Sequence, residues 1–147
     1  MSAQRLPYPL LAPKAFEALQ GLSMQLAKSS VGKTILDLIY LRVSQINGCA
    51  FCLDMHSKDM RRAGESQTRI DTLAGWRDSP FFDDREKAVL AWTEAVARIE
   101  SSHAPDVDYD PLKAHFSDAE IVDMTFAIAA ISAWNRMAIS MRAQPRS

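Results

Sequence analysis

Cys49 and Cys52 are the only cysteines in the chain, three positions apart, and His56 follows four positions after the second. If this segment is helical, both thiols stack on one face of its first turn and His56 lies one turn further along. A thiol at a helix N-terminus sits near the positive end of the macrodipole, which favours thiolate, the reactive form. These residue types at this spacing point to thiol redox chemistry.

Activating such a thiol takes more than a dipole. Lowering its pKa by two units from about 8.5 requires about 2.7 kcal/mol, whereas a helix dipole supplies about 0.3–1 kcal/mol and at best around 2. The remainder has to come from a neighbour, and His56 is the obvious one. If the helices on either side of Gly48 fold back on each other, His56 faces the level of Tyr40 and Asp37 lies within one turn of it. An Asp37–His56–Cys52 relay is then geometrically reasonable. The alternative, Asp37 on a solvated face, stays open.

Other uses of the pair are weighed on the same residues. Structural zinc wants four ligands, and a fourth beyond Cys49, Cys52 and His56 would have to come from His103 or His115, far along the chain. Covalent haem attachment needs C-x-x-C-H, but Leu53 occupies the histidine position. No metal or cofactor is therefore expected. Two inert core cysteines are also possible, since free cysteine is often buried, yet the Asn47-Gly48 break just before Cys49 gives a core helix no advantage. Helical positions three apart hold their Cβ atoms about 5–6 Å apart, while a disulfide wants roughly 3.5–4.5 Å. Closing the pair needs a first turn that can bend, and a strained, accessible disulfide is easily reduced.

The elements that must position these residues read as all-α. Glycine is scarce, at 5 of 147 residues, β-branched runs are few, and helical apolar spacing recurs. One domain spans residues 1–147, with a proline-rich arm over 1–13. Helices are expected over 14–28, 32–47, 49–63, 67–74 and 84–101, a loop over 103–111, and a short turn over 112–115. A capping box at Ser117-Asp-Ala-Glu120 opens the last long helix, to about residue 141. That helix is apolar around most of its circumference and so is buried centrally or between subunits. Trp92 and the methionines read as core, and the charged run 83–87 as a solvated helix start.

Net charge −1 gives no basic field for nucleic acid. The longest uncharged apolar run, 124–135, is too short for a membrane span, and no signal-peptide core is visible. A cytoplasmic protein is expected. In a reducing compartment a C-x-x-C pair is more often catalytic or metal-binding than a staple.

The run LRVSQINGCAFCLDMH, residues 41–56, resembles the core of the alkylhydroperoxidase AhpD-like branch of the carboxymuconolactone decarboxylase family. The segment 116–136 resembles the closing helix of its small single-domain members. The resemblance implies an AhpD-like bundle of about six helices, assembled as a homotrimer or homohexamer, that reduces alkyl hydroperoxides or hydrogen peroxide. It implies that Cys52 is the peroxidatic thiol, Cys49 the resolving thiol and His56 the proton-relay histidine. The family's relay glutamate falls at Asp37, one methylene shorter, and the histidine that peroxidase members carry before the second cysteine is replaced by Phe51. The decarboxylase branch lacks the cysteine pair, so that activity is not expected. A thiol reductant or redox partner protein would complete the cycle. The other readings are a dithiol adaptor that passes electrons to a partner, and an oligomeric binding protein whose cysteines sense oxidation.

Overall fold

In the computed structural model, which describes residues 3–146, all regular structure is helical. The helices are α1 (Tyr8–Leu11), α2 (Pro13–Leu26), α3 (Lys33–Asn47), α4 (Ala50–Arg62), α5 (Gln67–Thr72), α6 (Asp84–Ala97), α7 (Ile99–Ser102), α8 (Asp106–Tyr109) and α9 (Asp118–Ser140). Six of these exceed a single turn, in line with the expected bundle, and 3-10 turns occupy Leu73–Gly75 and Asp110–Ala114.

α3 and α9 form the centre. Ile35, Ile39 and Val43 of α3 pack with Met124, Ile128 and Ile131 of α9 and with Val89 of α6 in the main core. The other side of α3 presents Leu38 and Leu41 to Met60, Leu73, Trp76, Phe82 and Leu90 in a second core. α3 is therefore apolar on two faces. Trp92 is buried in the main core, and its indole donates to Thr125 Oγ1 at 3.0 Å.

Both expected stop and start signals operate. α3 ends at Gly48, whose φ of 67° is the left-handed conformation that closes a helix with little penalty only for glycine. The amides of Gly48 and Cys49 cap carbonyls of Gln45 and Ser44. Ser117 and Glu120 form the capping box of α9, and Asp83 and Glu86 form another at α6.

The proline-rich arm holds α1, whose Tyr8 ring lies 6.2 Å from that of Phe16, and Arg5 donates its amide to the Met141 carbonyl at 2.8 Å; residues 1 and 2 lie outside the described residues. Four expectations need correction. The loop 103–111 contains α8, and the helix expected over 84–101 breaks at Arg98 before α7. The charged run 83–87 is not simply solvated, because Glu86 is buried and paired with Arg69. Met24 and Met55 are exposed, whereas Met60 and Met124 are core.

Along α9, Met124, Ile128, Ile131 and Ala138 are buried, while Val122, Phe126 and Ile139 are about half exposed. Among the described residues no helix is long and apolar enough to cross a membrane.

Candidate active site

The turn at Gly48 brings α4 back along α3 and sets the cysteines at its start. Cys49 is the N-cap in extended backbone, and its Sγ accepts the Cys52 amide at 3.3 Å. The two sulfurs are joined as a disulfide, with Cα atoms 5.2 Å apart. Both are covered, at 1% and 2% exposure, by a small cluster with Phe51, Ala138 and Ala143. The disulfide is thus not openly accessible, contrary to the sequence-based picture of an exposed pair.

Access runs through a cavity of about 560 Å³ between α1, α2, α3, α4 and α9. Cys52 lines it and Cys49 does not. Its walls are mostly apolar, with Phe16, Phe51, Met55, Ile131 and Trp134 among them, and its polar side chains include Lys33, Asp37, Tyr40, His56 and Asp59. Phe51 therefore gives the cavity an apolar wall at the position where a histidine was noted as missing.

The folded-back hairpin puts His56 against Tyr40, their ring centroids 5.3 Å apart, as the spacing about Gly48 predicts. Burial pushes the imidazole down to about 4, opposed by a smaller upward pull from Asp59 and reinforced by the Lys33 charge. His56 is consequently neutral near pH 7. Its Nε2 is buried and, among the described residues, has no hydrogen-bond partner. Tyr40 is pushed up to about 12, chiefly by burial and then by the Asp37 charge.

Asp37 lines the same cavity, but its carboxylate accepts from Lys33 Nζ at 2.8 Å, one turn earlier on α3. Burial raises its pKa, and the Lys33 bond and charge pull it back. No hydrogen bond joins Asp37 to His56 among the described residues. The structure brings Cys52, His56 and Asp37 to one cavity without connecting the last two.

The start of α4 is also tied to α9. The fully buried Asn135 donates to Ser44 Oγ at 3.1 Å and accepts from Asn47 Nδ2 at 3.0 Å. Ser44 in turn supplies the carbonyl that takes the Cys49 amide at 3.1 Å. The sequence places Asn135 only within the closing helix, since its partners lie about ninety residues away. Asp59 was missed too, although an acid one turn beyond His56 on the same helix is a signal the sequence contains. His103 and His115 do not line the cavity, and no cluster of metal-ligating side chains occurs among the described residues.

The carboxymuconolactone decarboxylase family matches residues 13–95 of the chain. The uncharacterized protein YdfG of Bacillus subtilis is 37% identical over 139 residues, covering 95% of each sequence. A crystal structure from Agrobacterium tumefaciens, of unknown function and suggested to be the antioxidant defence protein AhpD, is 43% identical with a TM-score of 0.96 over 99% of both chains. A Ralstonia eutropha JMP134 protein described as an alkylhydroperoxidase AhpD core shares the fold, at 22% identity and a TM-score of 0.83 over 95% of this chain and 74% of that one.

Proposed function

The chain belongs to the carboxymuconolactone decarboxylase family and is AhpD-like, and from that premise we propose that it is a thiol peroxidase for organic hydroperoxides or hydrogen peroxide. One observation carries the reading: Cys52 faces the cavity one turn before a neutral His56 whose buried Nε2 has no partner among the described residues.

With the disulfide reduced, His56 takes the proton of the Cys52 thiol. The thiolate attacks the distal peroxide oxygen, the O–O bond breaks, and the leaving alkoxide or hydroxide takes the proton back from His56. Cys52 is then a sulfenic acid. The Cys49 thiol attacks its sulfur, expelling water and forming the disulfide. Two electrons have passed from the cysteine pair to the peroxide, and an external thiol or dithiol restores the pair. Cys52 meets the substrate first because it lines the cavity. Asp37 has its Oδ2 held by Lys33, so a relay role for it would run through Oδ1.

The exposed Val122, Phe126 and Ile139 on α9 support assembly with further copies of the chain, which would cover them, and the family resemblance supplies the number, a homotrimer or homohexamer.

Mass spectrometry of the reduced protein after one equivalent of cumene hydroperoxide tests the chemistry. The wild type should gain an intramolecular disulfide, and Cys49→Ser should hold one oxygen on Cys52. A reduced protein that stays unmodified while the peroxide persists would remove the peroxidase reading, and partner-dependent oxidation alone would favour the adaptor.

A further inference from the structure

Neutral His56 can accept a proton only if the resulting imidazolium finds a counter-charge in a partly buried site. The thiolate supplies some of it, but that charge is consumed as sulfur attacks the peroxide. A fixed anion that outlasts the thiolate is needed nearby.

Four ionisable groups besides the thiol share the cavity wall with His56 and can carry negative charge: Asp37 and Tyr40 from α3, Asp59 from its own helix, and Tyr8 from α1. Burial raises both phenols, so Tyr40 and Tyr8 stay protonated at neutral pH. Asp37 is already answered by Lys33 at 2.8 Å, so the pair presents little net charge to the ring. Among the described residues Lys33 is the one cation on that wall, and its charge acts against the imidazolium. α1, α2 and α9 bring only uncharged groups there, among them Tyr8, Gln20, Ser23 and Trp134.

Asp59 is different. It lies three positions after His56, the spacing at which side chains on one helix are neighbours at about 5–6 Å between Cβ atoms. Its own partner, Arg62, bonds it at 3.3 Å from outside the cavity wall, with the Arg62 side chain 76% and the Asp59 side chain 45% exposed. Such a solvent-screened pair is weak, so Arg62 does not cancel the effect of the carboxylate on the ring.

Resting on the proposed reaction, in which His56 is the base for Cys52, we infer that Asp59 is the carboxylate that balances the protonated His56, a positioning role that the Lys33-bound Asp37 does not fill. The direction of the Asp59 influence on the imidazole agrees. Asp59 touches no reacting atom and acts only through the ring.

The test is the ultraviolet titration of the Cys52 thiolate in the reduced protein, in Cys49→Ser and in that background with further changes. Asp59→Asn should raise the midpoint by about one pH unit, within the range a neighbouring charge produces. Asp59→Glu should restore most of the shift, and Asp37→Asn should move it less. In His56→Leu, adding Asp59→Asn should change nothing further. An unmoved midpoint in Asp59→Asn overturns the inference, and so does an equal shift with and without His56, because Asp59 would then act on sulfur or through the fold. Peroxide consumption is measured separately. Loss of all peroxide reactivity with the titration pattern intact would sink the peroxidase reading and leave the Asp59–His56 coupling standing.

Discussion

α3 carries two polar clusters that end in opposite ways. On one side Arg42 donates through Nε and Nη2 to Glu94 Oε2 at 3.2 and 3.1 Å, and Trp76 Nε1 reaches the same oxygen at 3.1 Å. Arg77 holds the other oxygen at 2.6 Å. Burial alone would raise the Glu94 carboxyl, but these donors outweigh it and hold it below the usual range. On the other side Tyr40 and Asp37 face a cavity with His56, whose Nε2 bonds to nothing among the described residues. Both clusters are substantially buried, so burial is not what separates them. A closed network fixes the fold, whereas one left a bond short beside a cavity can move a proton.

The contrast should break first at sulfur. Cys52→Ser should abolish peroxide consumption, and Cys49→Ser should permit a single turnover that halts at the sulfenic acid or runs on to sulfinic acid. Stopped-flow peroxide loss with intact-mass readout distinguishes them. Oxidation that persists in Cys52→Ser and vanishes in Cys49→Ser would reverse the two roles.

Next comes the open cluster's base. His56→Leu should slow the reaction of peroxide with the reduced protein by about 10²–10⁴, the range for a lost general base. Since Nε2 has no hydrogen bond to lose among the described residues, the unfolding midpoint in urea at pH 7 should hold. Glu94→Ala should do the opposite. It strands Arg42 in the interior, which costs about 3–5 kcal/mol, while the Cys52 titration stays in place. Equal effects of both variants on stability would erase the distinction between the clusters.

The site was legible in sequence wherever one helix or one turn sets the geometry. Gly48 fixes the hairpin, and the hairpin puts Tyr40 beside His56 without help from distant residues. The Ser117 capping box likewise needs only residues three apart. What depends on distant partners was not legible. α1 forms where Tyr8 meets Phe16, which in turn meets Trp134 edge-to-face with ring centroids 5.3 Å apart, and the arm is anchored by Arg5 at the far end of α9. A short segment with two prolines carries no such signal. The Lys33–Asp37 bond is an intermediate case. Its i,i+4 spacing is visible, but that Lys33 holds Asp37 while the carboxylate lines the same cavity as His56 depends on how α3 and α4 pack.

The smallest effect lies in acid stability and separates the clusters by pH. His56 has a folded-state pKa near 4 against an ordinary 6.5. Above about pH 6.5 both folded and unfolded chains hold it neutral, so it contributes no pH dependence. As the pH falls from 6.5 towards 4, the unfolded chain binds a proton that the folded chain refuses, and stability declines. Below 4 the loss levels off. Each pKa unit corresponds to about 1.4 kcal/mol, and partial solvation of the ring brings the whole loss to about 2 kcal/mol. Asp37, raised by burial, works in the opposite direction over its own range and should persist in both proteins. The difference in urea unfolding free energy between wild type and His56→Leu should therefore shift by about 2 kcal/mol between pH 7 and pH 4, in favour of the variant at low pH. Glu94→Gln should reproduce only part of that difference in this window, because the unfolded chain begins to protonate Glu94 near the ordinary 4.5 and most of that loss falls below pH 4. Parallel pH curves for wild type and His56→Leu would mean that the imidazole finds a partner in the folded state, and the open cluster would be as closed as the other.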